Sequence, residues 1–175
     1  MAQHSLILVD DNDLSYGYED SNTKLEEITF TNVTVDVNGG IWILYRKPEY
    51  NASLSGGSDS DIIIIQKPVS NQKLAFSPCS LYRCENNRDS CTVFEHNNYG
   101  GKRKHFNDAG FDLSSDFPAG CTAGASSMII WPNKDWQLFT KPQFQGGSKV
   151  VKDGWLATAD AMGFPDDKLL SISPR

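Results

Sequence analysis

This sequence predicts an all-β fold, built as antiparallel sandwiches in two domains, and three observations carry that prediction. Short β-rich runs recur along the 175 residues with turn residues between them, while long amphipathic helical patterns are hard to find. One segment is written twice, "WILYRKPEY" at 42–50 and "WQLFTKPQF" at 136–144, an offset of 136 − 42 = 94. Each copy reads Trp, an aromatic three places on, x-Lys-Pro-x, then a second aromatic. A catalytic constellation is needed once, whereas a structural unit can be duplicated, so the echo points to two domains of about 85–90 residues. Finally, 39% hydrophobic and 22% charged residues suit a folded chain and not a disordered one.

The expected strands, in order, are 5–9 (SLILV), 27–30 (EITF), 33–37 (VTVDV), 41–45 (IWILY), 61–66 (DIIIIQ), 91–96 (CTVFEH), 126–131 (SSMIIW), 136–139 (WQLF) and 148–151 (SKVV). Each is rich in β-branched or aromatic residues, and "NGG", "SGGSDS", "YGG", "DAG" and "QGG" supply turns between them. The run Ile62–Ile65 would be an aggregation hazard at an open edge, so it is expected to be buried. The one helix candidate is 154–162 (GWLATADAM). The polar stretch 84–90 (CENNRDS) reads as a linker, which divides the chain into domains 1–86 and 87–175.

A formal net charge of −6 argues against a nucleic-acid partner, which needs a basic face, and leaves room for a cation. The basic run Lys102-Arg103-Lys104-His105 reads as a solvated face. At the N-terminus four apolar residues precede two aspartates, too short for a signal peptide or membrane span, so the expectation is a cytoplasmic protein. In that setting Cys79, Cys84, Cys91 and Cys121 default to thiols, with Cys79–Cys84 and Cys84–Cys91 pairings open under oxidation. The formal sequons at Asn32 and Asn51 carry little weight there. Enzyme readings find no support: there is no G-x-S-x-G, no HExxH and no phosphate-cradling glycine loop, and His4, His96 and His105 are scattered.

The repeat sharpens into a second pattern. Phe94-x4-Tyr99-x-Gly101 and Phe139-x4-Phe144-x-Gly146 both fit aromatic-x4-aromatic-x-Gly. Physically this suits a β-hairpin folded back over its own sheet, covered by two aromatics, with glycine where φ is positive. These residues resemble the Greek-key signature of the βγ-crystallin superfamily, in the style of a non-lens, invertebrate- or microbial-like member. The family's other signature is a loop, [Asn/Asp]-[Asn/Asp]-x-x-[Ser/Thr]-Ser. "DDKLLS" at 166–171 matches it except at Leu170, and "TAGASS" at 122–127 keeps only Ser126 and Ser127. The resemblance implies two Greek-key β-sandwich domains, with Ser127 and Ser171 supporting the folded hairpins. It also implies a degenerate N-terminal domain. Tyr45-x4-Tyr50 is followed by Ala52 where glycine is expected, 71–77 takes the place of the loop, and Val9 and Leu14 replace aromatics in a shortened first motif.

What the resemblance implies for function is a non-enzymatic structural protein that binds calcium weakly through inter-motif loops. Calcium takes about 6–8 oxygen ligands, mixing carboxylates, carbonyls, hydroxyls and water. One site would use the Asp167 carboxylate, the Lys168 carbonyl and an oxygen of Glu95. A second would join Thr140 and the Gly124 carbonyl to the Ser126 hydroxyl, with Ala123 supplying no carboxylate. Lesser candidates are Asp10, at the position analogous to Glu95, and the acidic 58–61 (SDSD). The alternative is a protein-interaction module without functional calcium, associating with a partner or a second copy through its N-terminal domain.

Overall fold

The computed structural model describes residues 5–54, 57–85, 89–117 and 124–175. The chain divides into two compact units, residues 1–53 with 58–86, and 54–57 with 87–175. The first contains β1 (Leu6–Asp10), β2 (Ser15–Tyr18), β3 (Phe30–Val35), β4 (Trp42–Tyr45), β5 (Ile62–Ile65), β6 (Val69–Lys73) and β7 (Ser80–Arg83). The second contains β8 (Cys91–Phe94), β9 (Arg103–Phe106), β10 (Ser127–Ile130), β11 (Trp136–Lys141), β12 (Gln145–Val151), β13 (Gly154–Leu156) and β14 (Ser171–Pro174).

Every ladder is antiparallel. The sheet orders are β2-β1-β3-β6 and β5-β4-β7 in the first unit, β13-β10-β8-β9 and β12-β11-β14 in the second. Each four-stranded sheet thus takes three strands from one motif and a fourth, β6 or β13, that crosses from the next. The reciprocal crossing is a single bridge, Asn22 to Leu81 in the first unit and Gly110 to Ile172 in the second. This exchange of one strand per motif is the Greek-key arrangement. Both units carry it, so the departures of the first unit lie in its hairpins and loops and not in its sheet plan.

The doubled tryptophan now has a physical reason. Trp42 and Trp136 each open the middle strand of a three-stranded sheet and are fully buried. The pleat sends Leu44 and Leu138, two residues on, to the same side, and these four side chains sit in the cores of their respective units. Burial of one such indole removes about 150–250 Å² from water, worth on the order of 4–6 kcal/mol before entropy. The aromatics Tyr45 and Phe139 then close the hairpins that follow.

Several expectations are corrected. The strand expected at 27–30 begins only at Phe30. The helix expected over 154–162 is strand β13 followed by a single helical turn, Ala159–Met162, capped by the Thr158 side chain and ended by Gly163 at φ 83°. The isoleucine run is not fully buried: β5 is an edge strand, with Ile65 buried and Ile62, Ile63 and Ile64 partly so. Its shortness, together with the capped turn Asp59–Asp61 before it and Pro68 after it, limits the exposed edge. Cys79 and Cys91 are free thiols, Cys84 is buried, and Cys121 lies outside the described residues. The Asn51 sequon is closed, because Asn51 is fully buried and its amide binds the Asp61 carbonyl and the Lys47 N–H. Among the described residues no helix is long and apolar enough to cross a membrane.

Candidate metal centre

Three hairpins fold back as the aromatic spacing requires. Asn98 and Tyr99 have φ 53° and 58°, Gln143 and Phe144 57° and 60°, and Glu49 and Tyr50 51° and 57°. Each is pinned by one buried serine that accepts from a hairpin N–H and donates to a hairpin carbonyl. Ser127 Oγ bonds Tyr99 N at 3.0 Å and His96 O at 2.6 Å. Ser171 bonds Phe144 N at 3.0 Å and Lys141 O at 2.7 Å. In the first unit Ser80 does this, at 3.1 Å from Tyr50 N and 2.7 Å from Lys47 O. The loop assignment at 71–77 is therefore corrected. Its first three residues, 71–73, are drawn into β6 beside β3, and the serine stands 30 residues beyond Tyr50, against 27 and 28 in the other two hairpins.

Gly101 and Gly146 have φ 73° and 82°, as their spacing predicts. A Cβ on Gly146 would lie 2.6 Å from Thr140 Oγ1, so the position is closed by contact as well as by conformation. In the first hairpin Ala52 stays right-handed at φ −54°, and the third positive φ moves one place earlier to Asn51, at 58°. Asparagine tolerates that region better than alanine, which explains the altered turn.

The residue before each pinning serine leads to the site. Ser126 N donates to Phe94 O at 3.0 Å, and in the last motif Leu170 N donates to Phe139 O at 2.9 Å. By this correspondence Leu170 is the counterpart of Ser126, Thr140 of Glu95, and Lys168 of Gly124. The two loops meet through a bridge, Ala125 N to Leu169 O at 3.0 Å. They lie so close that a Cβ on Gly124 would be 2.6 Å from the Asp167 carbonyl oxygen.

At this junction the sequence reading needs regrouping. It assigns Asp167 and Ser126 to different sites, whereas the structure joins them: Ser126 Oγ donates to Asp167 Oδ1 at 2.8 Å, and Asp167 N approaches the same hydroxyl at 3.4 Å. Asp167 sits at φ 54°. Gly124, Ser126, Asp167 and the Phe94–Glu95 backbone therefore form one group. The Glu95 carboxylate is engaged within its own hairpin, accepting from Lys102 N at 3.0 Å and lying 3.9 Å from His96 Nε2. Both contacts involve the same atom, Oε2. Lys168 and Thr140 fall in the other group, with Leu170 at the hydroxyl position. The Thr140 hydroxyl there accepts from Gly147 N at 2.9 Å. Ala123 lies outside the described residues.

The lesser candidates are occupied by structural duties. Asp10 Oδ1 accepts from Asn12 N and Leu14 N, at 2.9 and 2.8 Å, closing its own turn. Asp61 accepts from the Ser58 N–H and hydroxyl and lies 2.8 Å from Arg46 Nε. The Ser58 backbone bond, then the Ser58 hydroxyl, hold its carboxyl below the usual range against the opposing effect of burial, with Arg46 adding to them. Burial pushes the Cys91 thiol well up. Among the described residues no three His, Cys, Asp or Glu side chains converge, so an ion here would have to supplement the single Asp167 carboxylate with carbonyl, hydroxyl and water oxygen.

No family model and no curated protein matches the chain, but solved structures do. It is similar to Geodin, a βγ-crystallin from Geodia cydonium, at 25% identity and a TM-score of 0.83, covering 97% of this chain and 98% of that one. A βγ-crystallin from Ciona intestinalis is 26% identical with a TM-score of 0.43, over 49% of this chain and 99% of its own. Protein S, solved in complex with calcium, is 15% identical with a TM-score of 0.37, over 99% and 100%.

Proposed function

We infer that this chain, a member of the βγ-crystallin superfamily, is a non-enzymatic structural protein that binds a single calcium ion weakly in its second unit. The observation that carries the reading is the 2.8 Å bond from Ser126 Oγ to Asp167 Oδ1, which brings a hydroxyl and a carboxylate from two different motifs to one point. Calcium would take those two oxygens, with the Gly124 and Glu95 carbonyls and water completing the shell. The other group has Leu170 for the hydroxyl and Ala123 for the carboxylate. In the first unit the residue after the hairpin aromatic is Arg46, a fixed cation. Hence the stoichiometry of one.

With one firm carboxylate, a dissociation constant on the order of 10⁻⁵ to 10⁻³ M follows from ligand charge. An ion that binds only the folded state stabilises it by RT ln(1 + [L]/Kd), about 1.4 kcal/mol at ~1 mM calcium for a Kd of ~10⁻⁴ M. Calorimetric titration of calcium into the chelator-stripped chain tests this. One equivalent should bind, and Asp167→Ala and Ser126→Ala should weaken the same isotherm. An unchanged isotherm in Asp167→Ala overturns the assignment. A melting temperature indifferent to millimolar calcium favours the interaction-module reading instead.

A further inference from the structure

Asn97 lies in the hairpin that supplies Glu95 yet spends its side chain elsewhere. Its Oδ1 accepts from Ala159 N at 3.2 Å, and its Nδ2 donates to Asp166 Oδ1 at 3.4 Å. The next residue repeats the attachment through the backbone, Asn98 N donating to Ala157 O at 2.6 Å. The hairpin therefore grips the segment 157–166 near both of its ends. Between the grips run the one-turn helix Ala159–Met162 and its left-handed Gly163 cap, and the residue immediately after the second grip is Asp167.

We propose that Asn97 is a positioning residue for calcium: it ties the hairpin carrying the Glu95 carbonyl to the loop carrying the Asp167 carboxylate, and so sets the affinity of the site. This rests on the calcium reading above. Affinity in an oxygen cage rises with rigidity as well as with ligand charge. Ligands drawn from two separate segments bind together only if those segments keep their spacing. In the Asn97 side chain a single amide spans the gap, its acceptor end on the helical turn and its donor end on the aspartate preceding the ligand. Removing the groups that orient metal ligands typically weakens affinity about 10–100-fold.

The test is calorimetric titration of calcium into the full, chelator-stripped wild type, Asn97→Ala and Asn97→Asp, with melting temperatures measured in chelator. Asn97→Ala should weaken calcium binding about tenfold. Asn97→Asp, nearly isosteric, keeps the acceptor for Ala159 N but faces Asp166 with a second carboxylate. It should also bind calcium more weakly than wild type, even though it adds negative charge. An Asn97→Ala protein that melts lower in chelator but keeps the wild-type Kd shows a merely structural role and overturns the proposal. So does an Asn97→Asp protein that binds more tightly. If Asn97→Ala does not fold, Asn97→Asp decides alone. A wild type that takes up no calcium sinks the calcium reading and this proposal with it, whereas wild-type binding with unchanged variants sinks only the proposal.

Discussion

Replacing Ser127 with alanine tests the hairpin logic at its centre. The Ser127 side chain is fully buried, and its Oγ serves two backbone groups at once, Tyr99 N at 3.0 Å and His96 O at 2.6 Å. Alanine removes both bonds and supplies no replacement. Two ordinary hydrogen bonds are worth about 1 kcal/mol each, and a buried group left unpaired adds its desolvation penalty, so the loss should be about 2–4 kcal/mol. Tyr99 is 2% exposed, so water cannot reach its N–H without the hairpin opening. Ser80 and Ser171 make the same two bonds within 0.1 Å, so Ser80→Ala and Ser171→Ala should cost similar amounts. Urea unfolding followed by tryptophan fluorescence reads the difference, with Ser173→Ala as a control, since that hydroxyl bonds only its neighbour's carbonyl at 3.2 Å. A loss below about 0.5 kcal/mol in Ser127→Ala, or one no larger than the control, would refute the claim that these serines pin the hairpins.

The two tryptophans of the repeat should respond unequally to phenylalanine. Trp42 Nε1 donates to Gly39 O at 2.8 Å, whereas the fully buried Trp136 Nε1 has no hydrogen-bond partner among the described residues, so Trp42→Phe should cost about 1–3 kcal/mol more than Trp136→Phe in denaturant unfolding. Asp61 should shape the acid limb of stability. Its carboxyl is held below the ordinary value near 4, so its contribution is complete above that value and disappears as pH falls through the lower folded one; Asp61→Asn should flatten unfolding free energy against pH below about 4.

What the sequence disclosed follows from how local each requirement is. The hairpin spacing was legible because its demands fall within eight residues: two aromatics, two left-handed positions and a glycine. Two polar edge strands were not. β6 reads Val-Ser-Asn-Gln-Lys and β9 Arg-Lys-His-Phe, polar enough to pass for loop and solvated face, because each belongs to a sheet whose other strands supply most of the core. Within β9 the register places His105 opposite Thr92, and its ring meets the Thr92 hydroxyl at 2.9 Å, so a segment read only for charge carries a part-buried contact. Ala52 was legible as an irregularity, but not its outcome, because the neighbouring asparagine offered an alternative left-handed residue.

The site was half legible for the same reason. All of its named residues lie in the expected loops and hairpins, yet their grouping depends on Ala125 pairing with Leu169, a contact spanning 169 − 125 = 44 residues. Composition alone contained a usable hint. One loop keeps its hydroxyl and lacks its carboxylate, the other keeps its carboxylate and lacks its hydroxyl, and only a crossed arrangement unites the two survivors. The first unit shows what the scaffold does without that pair. At the positions corresponding to Asp167 and Leu170 it has Phe76 and Cys79, and the residue after its hairpin aromatic, the counterpart of Thr140, is Arg46. The Arg46 guanidinium carbon lies 4.4 Å from the centre of the Phe76 ring, Nε lies 2.8 Å from Asp61, and Nη2 donates to Ser60 O at 2.8 Å. A covalently tethered cation, neutralised by its own acidic turn, thus cross-links hairpin and loop in the first unit. In the second unit the two loops are linked instead by the bond from Ser126 Oγ to Asp167 Oδ1. Both units keep the same sheet plan under these different charges, so neither arrangement at the loops is a condition of the fold.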